Sequence, residues 1–76
     1  MKRYDLRHLK GAFENRMVEI LKDEKDPKEV LLFLFEIGDF SPIQRSADVV
    51  KENGYELANS LKFNEVDWTI AVKRKD

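Results

Sequence analysis

The chain contains no cysteine, one histidine, one tryptophan, three glycines and two prolines in 76 residues. Without cysteine there is no disulfide, no thiolate nucleophile and no iron–sulfur cluster held by thiolates. A single histidine is too few for a zinc site of the Cys/His kind. Neither sign of charge dominates: 14 basic residues against 15 acidic ones leave a net charge of -1, so no general field attracts nucleic acid. No apolar run approaches the roughly 20 residues of a membrane helix, and residues 1–5 lead into no signal-peptide core. A cytoplasmic location is the default expectation.

What is present describes an ordinary folded domain. A hydrophobic fraction of 42%, with five Phe and two Tyr beside the one Trp, supports a core, and 38% charged residues supply a hydrated surface. A chain this short makes one domain, spanning 1–76, whose core is small enough that each apolar side chain counts. The few glycines and prolines divide it into six elements. Residues 2–6 read as a short strand with Tyr4 and Leu6 on one face. Leu9, Phe13, Met17, Ile20 and Leu21 recur at helical spacing, which predicts an amphipathic helix over 9–23, limited by Pro27.

Val30-Leu31-Leu32-Phe33-Leu34-Phe35 is apolar on both alternating faces, as a central strand is. Ser41-Pro42-Ile43-Gln44 then offers an N-cap, a proline at the first helical position and a glutamine to close a capping box. The helix that follows is expected to bury Ile43, Ala47 and Val50 and to end at Asn53-Gly54. Beyond it the period becomes two. Tyr55, Leu57, Leu61 and Phe63 are expected on one face, with Asn59 the polar exception, and Val66, Trp68, Ile70 and Val72 alternate in a second strand. The fold class is therefore α+β: a β-α-β-α-β-β two-layer sandwich in which both helices lie on one face of a four-stranded mixed sheet.

That arrangement leaves the other face of the sheet without cover. With Leu31, Phe33 and Phe35 directed at the helices, Val30, Leu32 and Leu34 form an apolar row on the open side. Ala58 and Ala71 provide small side chains beside it, and Trp68 is close enough in sequence to border it. Such a floor suits a planar ring or the apolar surface of a partner. Read alone, Trp68 fits the core better, because Val66, Ile70 and Val72 share its parity.

Other groupings have plainer explanations. Arg7, His8 and Lys10 gather where the first helix begins, a place that favours anions, yet solvated charge accounts for them. Asp23, Glu24 and Asp26 lack the glycine and distal glutamate of a calcium loop. Glu36, Asp39 and Glu65 are joined by no spacing rule, and Lys73-Arg74-Lys75 is a short basic tail without interleaved aromatics.

Two resemblances follow from longer strings. Asp5-x-Arg7-x-Leu9-Lys10 entering a helix, a hydrophobic strand, and Ser41 through Gly54-Tyr55-Glu56-Leu57 resemble the SirA/TusA-like sulfur-carrier family. That family continues with Cys-Pro-x-Pro, where this chain has Gly11-Ala12-Phe13-Glu14, so the likeness supports the fold and argues against sulfur transfer. Arg7-His8-Leu9-Lys10, Phe35 to Pro42 and Leu61 to Ile70 resemble the small NuoE-like subunit of an unusual bacterial NADH-quinone oxidoreductase, complex I. This second resemblance implies a non-catalytic subunit of the peripheral, electron-input arm. It implies flavin mononucleotide (FMN) as cofactor, other peripheral-arm subunits as partners, no nucleic acid, and membrane contact only through the complex. Placed on the open face, it makes Leu32, Leu34, Ala58, Trp68 and Ala71 the expected flavin contacts. An adaptor that docks a partner on the same face without cofactor is the alternative.

Overall fold

The computed structural model describes residues 1–37 and 41–75, the side chains at positions 10 and 11 excepted. Four strands, β1 (Lys2–Asp5), β2 (Leu31–Glu36), β3 (Tyr55–Lys62) and β4 (Asp67–Arg74), form one sheet in the order β1-β2-β4-β3. β1 runs parallel to β2, whereas β2–β4 and β4–β3 are antiparallel, which is the expected mixed sheet. Two helices, α1 (Phe13–Asp23) and α2 (Ser41–Glu52), complete the α+β architecture.

The helical pattern predicted from Leu9 begins differently. Residues Arg7–Ala12 form a 3₁₀ segment, and the α-helix starts only at Phe13. The tighter turn opens with a bond from the Leu9 N–H to the Leu6 carbonyl at 3.1 Å, and it leaves Leu9 packed against the core. From Phe13 the expected stripe holds, with Phe13, Met17, Ile20 and Leu21 all buried. The Glu24 N–H closes the helix on the Ile20 carbonyl at 3.1 Å, and the chain leaves in an extended conformation.

α2 also differs in detail. Its buried line is Pro42, Ser46 and Val50 at intervals of four, while Ile43 and Ala47, expected inside, are half-buried. A polar residue fits this line because the Ser46 hydroxyl donates to the Ile43 carbonyl at 2.7 Å and so satisfies itself. Ser41 is the first helical residue rather than the cap, and the Gln44 amide donates to Asp48 at 3.1 Å. The cap position, with Gly38 and Asp39, lies outside the described residues. Gly54 follows the helix with φ of 78°, the left-handed conformation expected there.

The core lies between the helices and one face of the sheet. Leu31, Phe33, Phe35, Ile70 and Val72 from the sheet meet Phe13, Met17 and Val50, and all eight are wholly inaccessible. Phe13 and Phe35 stack with ring centroids 4.6 Å apart. Burial along β2 alternates residue by residue, so Leu32 and Leu34 face away from the helices as expected.

One irregularity positions everything on the open face. The β3–β4 register advances from Leu57↔Val72 to Asn59↔Ala71, which leaves Ala58 as an extra, unpaired residue in a β-bulge. Before the bulge, Tyr55 and Leu57 pair with Arg74 and Val72; after it, Leu61 pairs with Thr69. Opposed residues share a face, and Thr69 is also opposite Leu34. Leu61 and Phe63 therefore do not share the face of Tyr55 and Leu57 but join the open side.

Candidate functional site

The open face contains a hollow of about 500 Å³ above β1, β2 and the far halves of β3 and β4. Leu32 and Leu34 make its floor, Leu61 and Phe63 one side, and Arg3 and Asp5 the other, with Thr69 between. The register places them together: Arg3 is opposite Leu32 on β1, Asp5 opposite Leu34, and Thr69 bridges Leu34 to Leu61. Other surface hollows of 420–460 Å³ are of similar size, so volume alone does not single this one out. Its apolar floor does.

Of the five side chains expected to hold a flavin, Leu32 and Leu34 line the hollow. Ala71 lies on the same face, opposite Leu32, but outside the lining. Ala58 is the exposed bulge residue and is not part of it. Trp68 is on the opposite side of the sheet: it pairs with buried Phe35, packs against the core, and its indole N–H donates to the Ser60 hydroxyl at 2.6 Å. The parity that Trp68 shares with Ile70 and Val72 decides its face, and no bulge interrupts β4 to reverse it.

Arg3, Leu61, Phe63 and Thr69 escaped the sequence reading. The available signal was the break in alternation at Ala58-Asn59, where a polar residue interrupts an otherwise apolar series. Leu61 and Phe63 remain 58% and 59% exposed, and they stand together with Leu32 and Leu34 on one hollow, as a contiguous apolar patch rather than scattered residues.

A polar clamp closes one end of the hollow. Arg7 donates from Nε and Nη2 to the Asp5 carboxylate at 3.0 and 2.7 Å, and from Nη1 to Asp67 Oδ2 at 3.3 Å. Its guanidinium also lies 6.0 Å from the centre of the Phe63 ring. The fork of hydrogen bonds from Arg7 holds the Asp5 carboxyl down at about 2. Asp67 is buried and receives the Asn64 amide at 2.8 Å, while Asn64 Oδ1 accepts the N–H groups of Val66 and Asp67 at 2.9 and 2.8 Å. The hairpin tip carrying Phe63 is thus tied to the end of β1.

The acidic run at the end of α1 has a structural use. Glu24 is buried and accepts from Lys2 Nζ at 2.7 Å, and no cluster of three metal-ligating side chains occurs among the described residues. His8 is exposed and away from the hollow. No helix among the described residues is long and apolar enough to cross a membrane.

Fold and surface define a small sheet-and-helix protein with a clamped, apolar hollow on its uncovered side. Comparison with known sequences identifies the group: residues 1–74 match the family of "putative NADH-ubiquinone oxidoreductase" E subunits, and the protein belongs to that family. The solution structure of HP1264 from Helicobacter pylori is similar, at 53% identity over 100% of both proteins with a TM-score of 0.69. No curated protein matches the sequence.

Proposed function

We propose that the protein is a non-catalytic subunit of the peripheral arm of an NADH-quinone oxidoreductase and that it binds FMN in the open-face hollow. Family membership supports the assembly. The observation that carries the cofactor reading is the hollow itself, in which an apolar floor is bordered by an aromatic ring, a hydroxyl and a basic side chain. A volume of about 500 Å³ lies within the roughly 300–1,000 Å³ of ligand clefts. An isoalloxazine ring is planar and amphipathic, so Leu32, Leu34 and Leu61 would contact its faces, Phe63 its edge and Thr69 its polar rim. A bound flavin would supply an acceptor for two electrons that can leave one at a time. The protein's contribution is to hold the ring and limit its exposure to water. Thiolate-held iron–sulfur chemistry is not open to this chain, which has no cysteine.

Titrating FMN into the purified chain, with flavin fluorescence as readout, tests the cofactor reading. Saturable binding that Leu34→Asp abolishes and Trp68→Phe leaves intact is the expected result. No saturable change at high micromolar FMN overturns it. A second reading, an adaptor without cofactor, is favoured by the run of exposed apolar residues Leu61, Phe63 and Val66 at the hairpin tip. In that case Leu34→Asp abolishes co-purification with other peripheral-arm subunits although the chain binds no flavin.

A further inference from the structure

Three basic side chains stand at or beside the hollow, and two of them are engaged. Arg7 is bound to Asp5 and Asp67, and Lys62 Nζ lies 3.4 Å from the Glu65 carboxylate. Arg3 lines the hollow and is exposed, and its side chain has no hydrogen bond, ion pair or ring contact among the described residues. Its register opposite Leu32 places it on the open face of an edge strand, beside the apolar floor. Asp5 is its neighbour on that face, but the Arg7 fork occupies both Asp5 oxygens. The carboxylate that would otherwise capture Arg3 is already held by Arg7.

We infer that Arg3 is the anion-binding residue of the hollow and that it selects a planar ligand bearing a phosphate monoester over the same ring without one. This inference rests on the flavin reading above and adds to it the residue that meets the phosphate. A guanidinium offers two parallel N–H groups to two phosphate oxygens, whereas an ammonium acts as a point charge. The Asp5–Arg7–Asp67 clamp keeps the competing charges in place, so Arg3 is the cation left to respond to the ligand.

The test compares FMN with riboflavin, which has the same ring and no phosphate, by titration of the full chain at low and moderate salt. The wild-type chain should bind FMN about tenfold more tightly than riboflavin, as a partly exposed charge-assisted contact gives, with the advantage shrinking as salt rises. Arg3→Gln should reduce FMN to the affinity of riboflavin and leave riboflavin unchanged, Arg3→Lys should restore part of the preference, and Lys62→Gln should retain it. Equal binding of the two flavins by the wild-type chain, or loss of the preference in Lys62→Gln, overturns the role of Arg3 while the flavin site stands. Failure of both flavins to bind overturns the flavin reading together with this inference.

Discussion

Glu24 shows how a residue that looked like part of a cation site becomes a structural fastening. It stands in an acidic run with Asp23 and Asp26, yet it is buried, accepting from Lys2 Nζ at 2.7 Å and from the Asp26 N–H at 3.1 Å. Its own carbonyl accepts from Arg74 at 2.6 Å, and Arg74 also donates to the Tyr55 hydroxyl, which in turn donates to the Leu21 carbonyl. The end of α1 is thereby joined to both outer ends of the sheet. The Lys2 hydrogen bond is the main cause that lowers the Glu24 carboxyl below its ordinary 4.5, and the same bond raises Lys2 above 10.5. A lowered carboxyl stabilises the fold fully above its unfolded value and loses that contribution as pH falls through its folded one. The raised amine adds the alkaline counterpart, lost as pH rises through its folded value. Urea midpoints measured across pH should therefore decline below about 4.5, and Glu24→Gln should flatten that decline. An unchanged acid slope in Glu24→Gln would show that other carboxylates, Asp5 among them, account for it.

The bulge in β3 explains both what the sequence conveyed about the elements and what it concealed. The two apolar parities of β2 were readable because leucine and phenylalanine at consecutive positions mark both faces of a strand as apolar. Helix limits near Pro27 and Gly54 were readable from backbone chemistry alone. The faces of Leu61 and Phe63 were not, since counting by twos from Tyr55 gives Ala58 a place in the ladder, although it has no partner on β4. Trp68 was misplaced for a different reason: the family likeness outweighed its parity with Ile70 and Val72. A deletion tests the bulge. Removing Ala58 should leave an unbroken ladder with Leu57 opposite Val72, Asn59 opposite Ala71 and Leu61 opposite Thr69, so the hollow keeps its walls and only the local bend is lost. Nuclear Overhauser contacts between Leu61 and Thr69, and between Tyr55 and the strand end near Arg74, should persist in the variant. Slippage of either half by one residue would show that Ala58 holds the register rather than interrupting it.

The molecule as a whole divides its work between the two sides of one sheet, and β2 contributes to both. Leu31, Phe33 and Phe35 are wholly buried beneath the helices, whereas Leu32 and Leu34 are half-buried on the other side. Stability should then follow the first set and ligand binding the second, although the residues alternate along six positions of one strand. Phe35→Ala removes a ring that also stacks on Phe13 at 4.6 Å, and such truncations cost about 3–5 kcal/mol. A domain of this size holds roughly 4–11 kcal/mol in total, at 0.05–0.15 per residue, so this variant should lose a large share of its stability. Leu34→Thr places a β-branched side chain in the strand and should cost about 1 kcal/mol or less. It nevertheless removes apolar floor where the flavin ring is proposed to lie. Chemical denaturation and FMN titration of the two variants should separate: Phe35→Ala loses much of its stability and, where folded, retains the wild-type affinity, while Leu34→Thr denatures near the wild-type midpoint and binds FMN measurably more weakly. If Leu34→Thr leaves FMN binding untouched while the wild-type chain binds it, the ligand sits elsewhere than on the floor of this hollow, and the division of labour across the sheet does not hold.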